Sequence, residues 1–132
     1  MITSIPTVMV MRTFGAGKRV PFVFPTSPDC VVLPVFSTQE AAETFCAEAG
    51  DGTLASACLT LTELGNYLEQ WIGAEPFGGV KLLAMNMSVP MTPRFRGAAM
   101  ADVAAAIAHG SNTVETAIFD FFDAPVPAEN GT

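Results

Sequence analysis

A chain of 132 residues with half its residues apolar and only 14% charged has the length of one ordinary domain, too little for two separate cores. That composition excludes a disordered tail or a coiled coil. Thirteen acidic against six basic residues give a net charge of −7, the wrong sign for holding a phosphate backbone or an anionic membrane surface. The mean hydropathy of +0.41 invites a membrane reading, but the longest stretches free of Asp, Glu, Lys and Arg, Leu82 to Pro93 and Val103 to Val114, are twelve residues each. A span needs about 20.

The first residues, Met1 to Phe14, lack a basic region ahead of the apolar run and lack a small-residue cleavage site. A signal peptide is therefore not expected, and the expected compartment is the cytoplasm. Cys30, Cys46 and Cys58 are an odd count at wide spacing, which fits reduced thiols rather than a disulfide framework.

In chain order, Ser4 to Arg12 and Val20 to Phe24 read as strands, joined by a hairpin turn that carries Gly15 and Gly17. Pro25 to Asp29 reads as a loop and Cys30 to Phe36 as a strand. Within that strand Pro34, which cannot donate to a ladder, suggests an edge or a strand end. Ser37 and Glu40 have capping-box spacing ahead of a helix whose stripe is Ala42, Phe45, Cys46 and Ala49, ended by Gly50.

Leu54 to Leu59 makes a short strand of small residues. A second capping box, Thr60 with Glu63, opens a helix with Leu64, Tyr67, Leu68, Trp71 and Ile72 on one face, ended by Gly73 to Pro76. Val80 to Met87 is a strand, and Ala98 to His109 is an alanine-rich helix with Met100, Val103, Ala104 and Ile107 as its core stripe. Its remaining faces are mostly alanine, so cover on two sides is expected. Thr113 to Asp123 fits either period: Val114, Ala117, Ile118, Phe121 and Phe122 suit a helix, the aromatic density suits a strand, and helix is preferred. Residues 124–132 read as a flexible tail after a single domain over 1–123.

The order of these elements, with Leu33-Pro34-Val35-Phe36-Ser37-Thr38-Gln39-Glu40-Ala41 at the strand-to-helix junction, resembles the N-terminal domain of SseB-type (enhanced serine sensitivity) proteins over roughly residues 5 to 109. In that family a later strand ends in an Asn-Pro-Gly-like turn. Val80 to Asn86 is similar in position, but Met87 and Ser88 follow Asn86 here. The resemblance implies a fold and transfers no catalytic residue.

The expected fold is α+β, a mixed sheet of about five strands with two or three packed helices. Gly15-Ala16-Gly17-Lys18 fails as a phosphate-binding loop, because Arg12 stands where the first glycine belongs and Arg19 where a hydroxyl belongs. His109 is the single histidine. Ahead of Gly110 it reads as a helix-end residue, so no catalytic set, metal site or cofactor is expected. Tyr67, Trp71 and Phe77 read as core aromatics. Arg94 and Arg96, two cations ahead of a helix start, read first as ion-pair partners of the many acidic side chains; the alternative makes them candidates to hold a small anion with Asn86 beside them.

Nineteen charged side chains leave much surface uncharged, so an apolar patch for self-association, a homodimer or a protein partner is expected. The candidate interface is Ala98, Ala101 and Ala105. The functional expectation is a non-enzymatic interaction module. The alternative is a sensor of an anionic metabolite at Asn86, Arg94 and Arg96.

Overall fold

The computed structural model describes residues 1–13, 15–17, 19–27, 30–49, 52–72, 80–87 and 94–120. It is an α+β fold, with ten strands among the described residues: β1 (Ile2–Ser4), β2 (Val8–Thr13), β3 (Arg19–Pro21), β4 (Phe24–Ser27), β5 (Cys30–Phe36), β6 (Leu54–Cys58), β7 (Val80–Met85), β8 (Arg94–Ala99), β9 (Thr113–Glu115) and β10 (Ala117–Asp120). The helices are α1 (Gln39–Ala49), α2 (Leu61–Ile72) and α3 (Met100–Ala108). Eight strands form one mixed sheet, and β1 with β9 forms a separate ribbon. The count exceeds the expected five because several strands are only three or four residues long.

β2 runs antiparallel between β5 and β6, and β5 runs parallel to β7. β5, β6 and β7 therefore all point the same way. The chain travels outward from β5 to β6 through α1 and back from β6 to β7 through α2. Crossovers of the usual right hand must then lie on opposite faces of the sheet. That is the arrangement found. Ala42 and Phe45 of α1 share a core with Val8, Val10, Val32 and Leu82, whereas Leu64 and Leu68 of α2 join Met9, Leu33, Val35 and Leu83. α3 packs on the α2 side through Met100, Val103 and Ala104.

Pro34 lies inside the sheet, fully buried in β5, and not at an edge. Val35 gives its carbonyl to Asn86 N on the β7 side, so the polar positions of Pro34 face the opposite edge. On that edge β4 pairs as far as Val32 and β2 begins at Val35. The missing N–H falls in the gap between two partners and leaves no ladder bond unmade.

Other elements also depart from the sequence reading. Ser4 to Arg12 is not one strand: β1 and β2 are separated by Ile5-Pro6-Thr7. Pro25 to Ser27, read as loop, belongs to β4, which pairs with β5 across a register shift. Residues 113–120 are strands and not a helix, because β1 and β8 supply backbone partners. Phe119 stacks on Phe95 directly across the ladder, ring centroids 5.7 Å apart. The Gly15–Gly17 turn is a short 3-10 segment joining the antiparallel β2 and β3, with Gly17 at φ +77°. The expected stops at Gly50 and Gly73 to Pro76 and the tail at 124–132 lie outside the described residues, as do Phe77 and positions 121–123.

Helix ends follow local chemistry. Thr60 Oγ1 accepts from Glu63 N at 3.1 Å while Glu63 Oε1 accepts from Thr60 N at 2.9 Å, a reciprocal capping box. At α2's other end Lys81 Nζ donates to the Ile72 carbonyl at 2.8 Å, placing a cation on the negative end of the macrodipole. α3 closes on a Schellman motif, with Gly110 N bonded to Ile107 O, Ser111 N to Ala106 O, and Gly110 at φ +81°. His109 is its C-cap residue.

Candidate functional site

The expected cap Ser37 does not cap α1. The Thr38 hydroxyl accepts from Ala41 N at 3.1 Å, and Ser37 is held elsewhere. Its backbone N donates to Asn86 Oδ1 at 2.8 Å, and its hydroxyl accepts from Asn86 Nδ2 at 3.0 Å. Asn86 itself sits at φ 56°, a left-handed conformation that asparagine tolerates better than most residues. One side chain thus ties the carboxyl ends of the parallel strands β5 and β7 together.

Beside this tie lies a cleft of about 460 Å³ lined by Thr38, Glu40, Ala41, Thr44, Phe45, Glu48, Asn86 and Met87. Its place outside the carboxyl ends of parallel strands is where open α/β sheets usually bind ligands. Buried Phe45 and Met87 give it an apolar base. The described lining carries two carboxylates and no cation, a chemistry that works against an anion.

The structure places the two candidate arginines at the same end of the sheet, on β8 (Arg94–Ala99). Phe95 belongs to the α1-side core and Ala98 to the α2–α3 side. Strand alternation therefore turns Arg94 and Arg96 to the face opposite α1 and the cleft. Asn86 commits its amide to Ser37, and half-buried Arg96 donates from Nη1 to Thr116 Oγ1 at 3.0 Å. The arginines also do not border a helix start as the sequence suggested. From Arg96 to Met100 the chain is extended over about 13 Å, which removes Arg96 from the first turn of α3.

Thr116 is a hub that sequence reasoning missed. Buried itself, it donates its hydroxyl to Met1 O at 2.9 Å and accepts from Arg96. Its single proton is thereby used, so in its 2.9 Å contact with Thr3 Oγ1 the Thr3 hydroxyl is the donor. A threonine at the junction of two short strands carries no sequence signal for this role. Arg12, which the sequence marked only as the residue that spoils a phosphate-binding loop, lies over the Phe22 ring at 4.8 Å, and its buried Nε finds no acceptor among the described residues.

Of the candidate interface residues, Ala98 is buried in β8, because the helix begins two residues later than expected. Ala101 and Ala105 are exposed on α3, with Ala108, Asp102 and His109 around them. Among the described residues α3 is covered on one side and not on two: the sheet and α2 take Met100, Val103 and Ala104. α2 approaches closely because Gly65 has no side chain; a Cβ there would come within 2.9 Å of Ile107 Cγ2.

Tyr67 is not a core residue. It stands 37% exposed and stacked on half-buried Trp71 at 5.1 Å. At about 100° per residue it is roughly 200° round α2 from Gly65, so it faces away from α3. The shallow hollow beside it is lined by Glu63, Asn66, Tyr67 and Gln70.

The cysteines are free: Cys30 is buried, Cys46 half-buried and Cys58 exposed. Burial, aided by the Glu43 carboxylate, pushes the Cys46 thiol up from its ordinary value, the direction of an unreactive thiol. Among the described residues no three His, Cys, Asp or Glu side chains come together to hold a metal ion. Among them, too, no helix is long and apolar enough to cross a membrane. No protein-family model matches the chain, and neither does any curated protein or any solved structure.

Proposed function

We propose that the protein is an interaction module that docks a protein partner on the outer face of α3 and performs no chemistry of its own. The observation that carries this reading is the exposed run Ala101, Ala105 and Ala108 on a helix whose solvent side holds only Asp102 and His109 as polar groups. Exposed alanines give no stability to the free chain beyond helix propensity. They do let a second helix approach to the short end of the usual 8–10 Å axis separation. The fitting partner surface is therefore a close-packing apolar helix.

Affinity capture with wild type and Ala105→Glu tests this. The glutamate leaves an exposed helical position and barely moves stability, yet it places a charge in the docking face. Partners held by wild type should be lost by Ala105→Glu and retained when Arg94 and Arg96 are both changed to Ala. Equal capture by Ala105→Glu and wild type would overturn the α3 reading. A sensor that takes an anion at Arg94 and Arg96 would instead show a thermal shift with acidic metabolites that the arginine double variant lacks. What supports that second reading is the shared face of the two arginines on β8 and the fixing of Arg96 by Thr116.

A further inference from the structure

β6 (Leu54–Cys58) is paired to β2 along one side only among the described residues. The bonds flanking the ladder, Thr13 N to Thr53 O and Leu59 N to Thr7 O, show that odd-numbered residues turn their polar groups toward β2. The N–H and C=O groups of Leu54, Ser56 and Cys58 therefore point out of the sheet edge. Exposed strand edges are normally guarded by lysine, proline, an inward-pointing charge or a bulge. β6 has none of these: its register with β2 is unbroken, and residues 52–62 contain no charged residue and no proline. Ala55, Ser56 and Ala57 are half-buried and Cys58 is exposed.

The sequence of this edge, Leu-Ala-Ser-Ala-Cys, reads almost the same in both directions about Ser56. We propose that two copies of the chain join through antiparallel pairing of β6 with β6 across a two-fold axis at Ser56, which makes their sheets one continuous sheet. In that register Ser56 faces its own counterpart, Ala55 faces Ala57, and Leu54 faces Cys58. The outward groups of Leu54, Ser56 and Cys58 form about six interchain N–H···O bonds. A second copy is the fitting occupant because the strand is self-complementary and its small side chains offer no pocket to select a foreign strand. It is also an uncharged window through which two molecules of net charge −7 meet without like charges at the contact. This proposal is independent of the α3 reading.

Sedimentation across a wide concentration range tests it with wild type and two variants. Wild type should approach twice the 13.9 kDa chain mass. Ser56→Pro removes an outward N–H and spares the β2 ladder, so it should stay monomeric. Ala105→Glu should associate as wild type does. Should Ser56→Pro fail to fold, cross-linking decides: in a Cys46→Ala, Cys58→Ala background, Ala55→Cys with Ala57→Cys should oxidise to a disulfide-linked dimer, since these positions become close cross-strand neighbours. A wild-type monomer at every concentration, a folded Ser56→Pro dimer, a dimer lost in Ala105→Glu, or no cross-linked dimer would each overturn the proposal.

Discussion

Asn86 combines a left-handed backbone conformation with a pair of hydrogen bonds to one serine. Alanine at this position would lose both bonds to Ser37 and keep the left-handed φ of 56°. At about 1 kcal/mol for each bond and 1–2 kcal/mol for the conformation, Asn86→Ala should cost about 3–4 kcal/mol in urea unfolding. Asn86→Gly loses the bonds and relieves the backbone, so its expected cost is about 2 kcal/mol. Equal losses in the two variants would show that the conformation contributes nothing. Asn86 stood out in the sequence as a polar residue at a strand end. Its partner did not, because Ser37 is 49 positions away and only the parallel pairing of β5 with β7 brings them together. For the same reason the sequence placed Asn86 with two arginines, neighbours along the chain that strand alternation turns to the other face.

At the scale of elements, the two capping boxes had equal standing in the sequence, and only one formed. Among the described residues Thr60 and Glu63 meet no competing partner, whereas Ser37 is held by Asn86 and leaves capping to Thr38. Thr60→Ala should therefore cost about 1 kcal/mol, read as a lowered unfolding midpoint at unchanged denaturant slope. Ser37→Ala leaves the cap of α1 intact and removes one hydroxyl bond, so it should cost less. Helices α1 and α2 were legible because their apolar period is local information. Residues 113–120 were not: their apolar residues satisfy both periods, and the choice is made by β1 and β8, whose positions no local pattern reveals. The start of α3 was misplaced for a related reason. Ala98 and Ala99 are good helix formers, but Ala98 and Ala99 pair with Leu83 and Leu82 of β7, and a Cβ at Gly97 would run into the Leu83 carbonyl.

For the whole molecule, the α+β class follows from mixed periodicities along one short chain and was readable in advance. The sheet order was not, since it depends on β2 inserting between β5 and β6 and on crossovers that place α1 opposite α2. Candidate surfaces were legible only as composition: few charges implied uncharged surface, and the structure resolves it into an alanine face on α3 and, among the described residues, an unguarded edge at β6. The β1–β9 ribbon carries a consequence for how the chain reaches this state. It joins Thr3 to Thr116, 113 positions apart, through only three register pairs. Loop closure over such a distance returns few bonds for the entropy lost, so this ribbon should form after the sheet and open before it. Amide hydrogens of Ile2–Ser4 should exchange faster than those of Val8–Arg12 under native conditions, and a refolding chain should acquire its sheet while its first residues are still unbound.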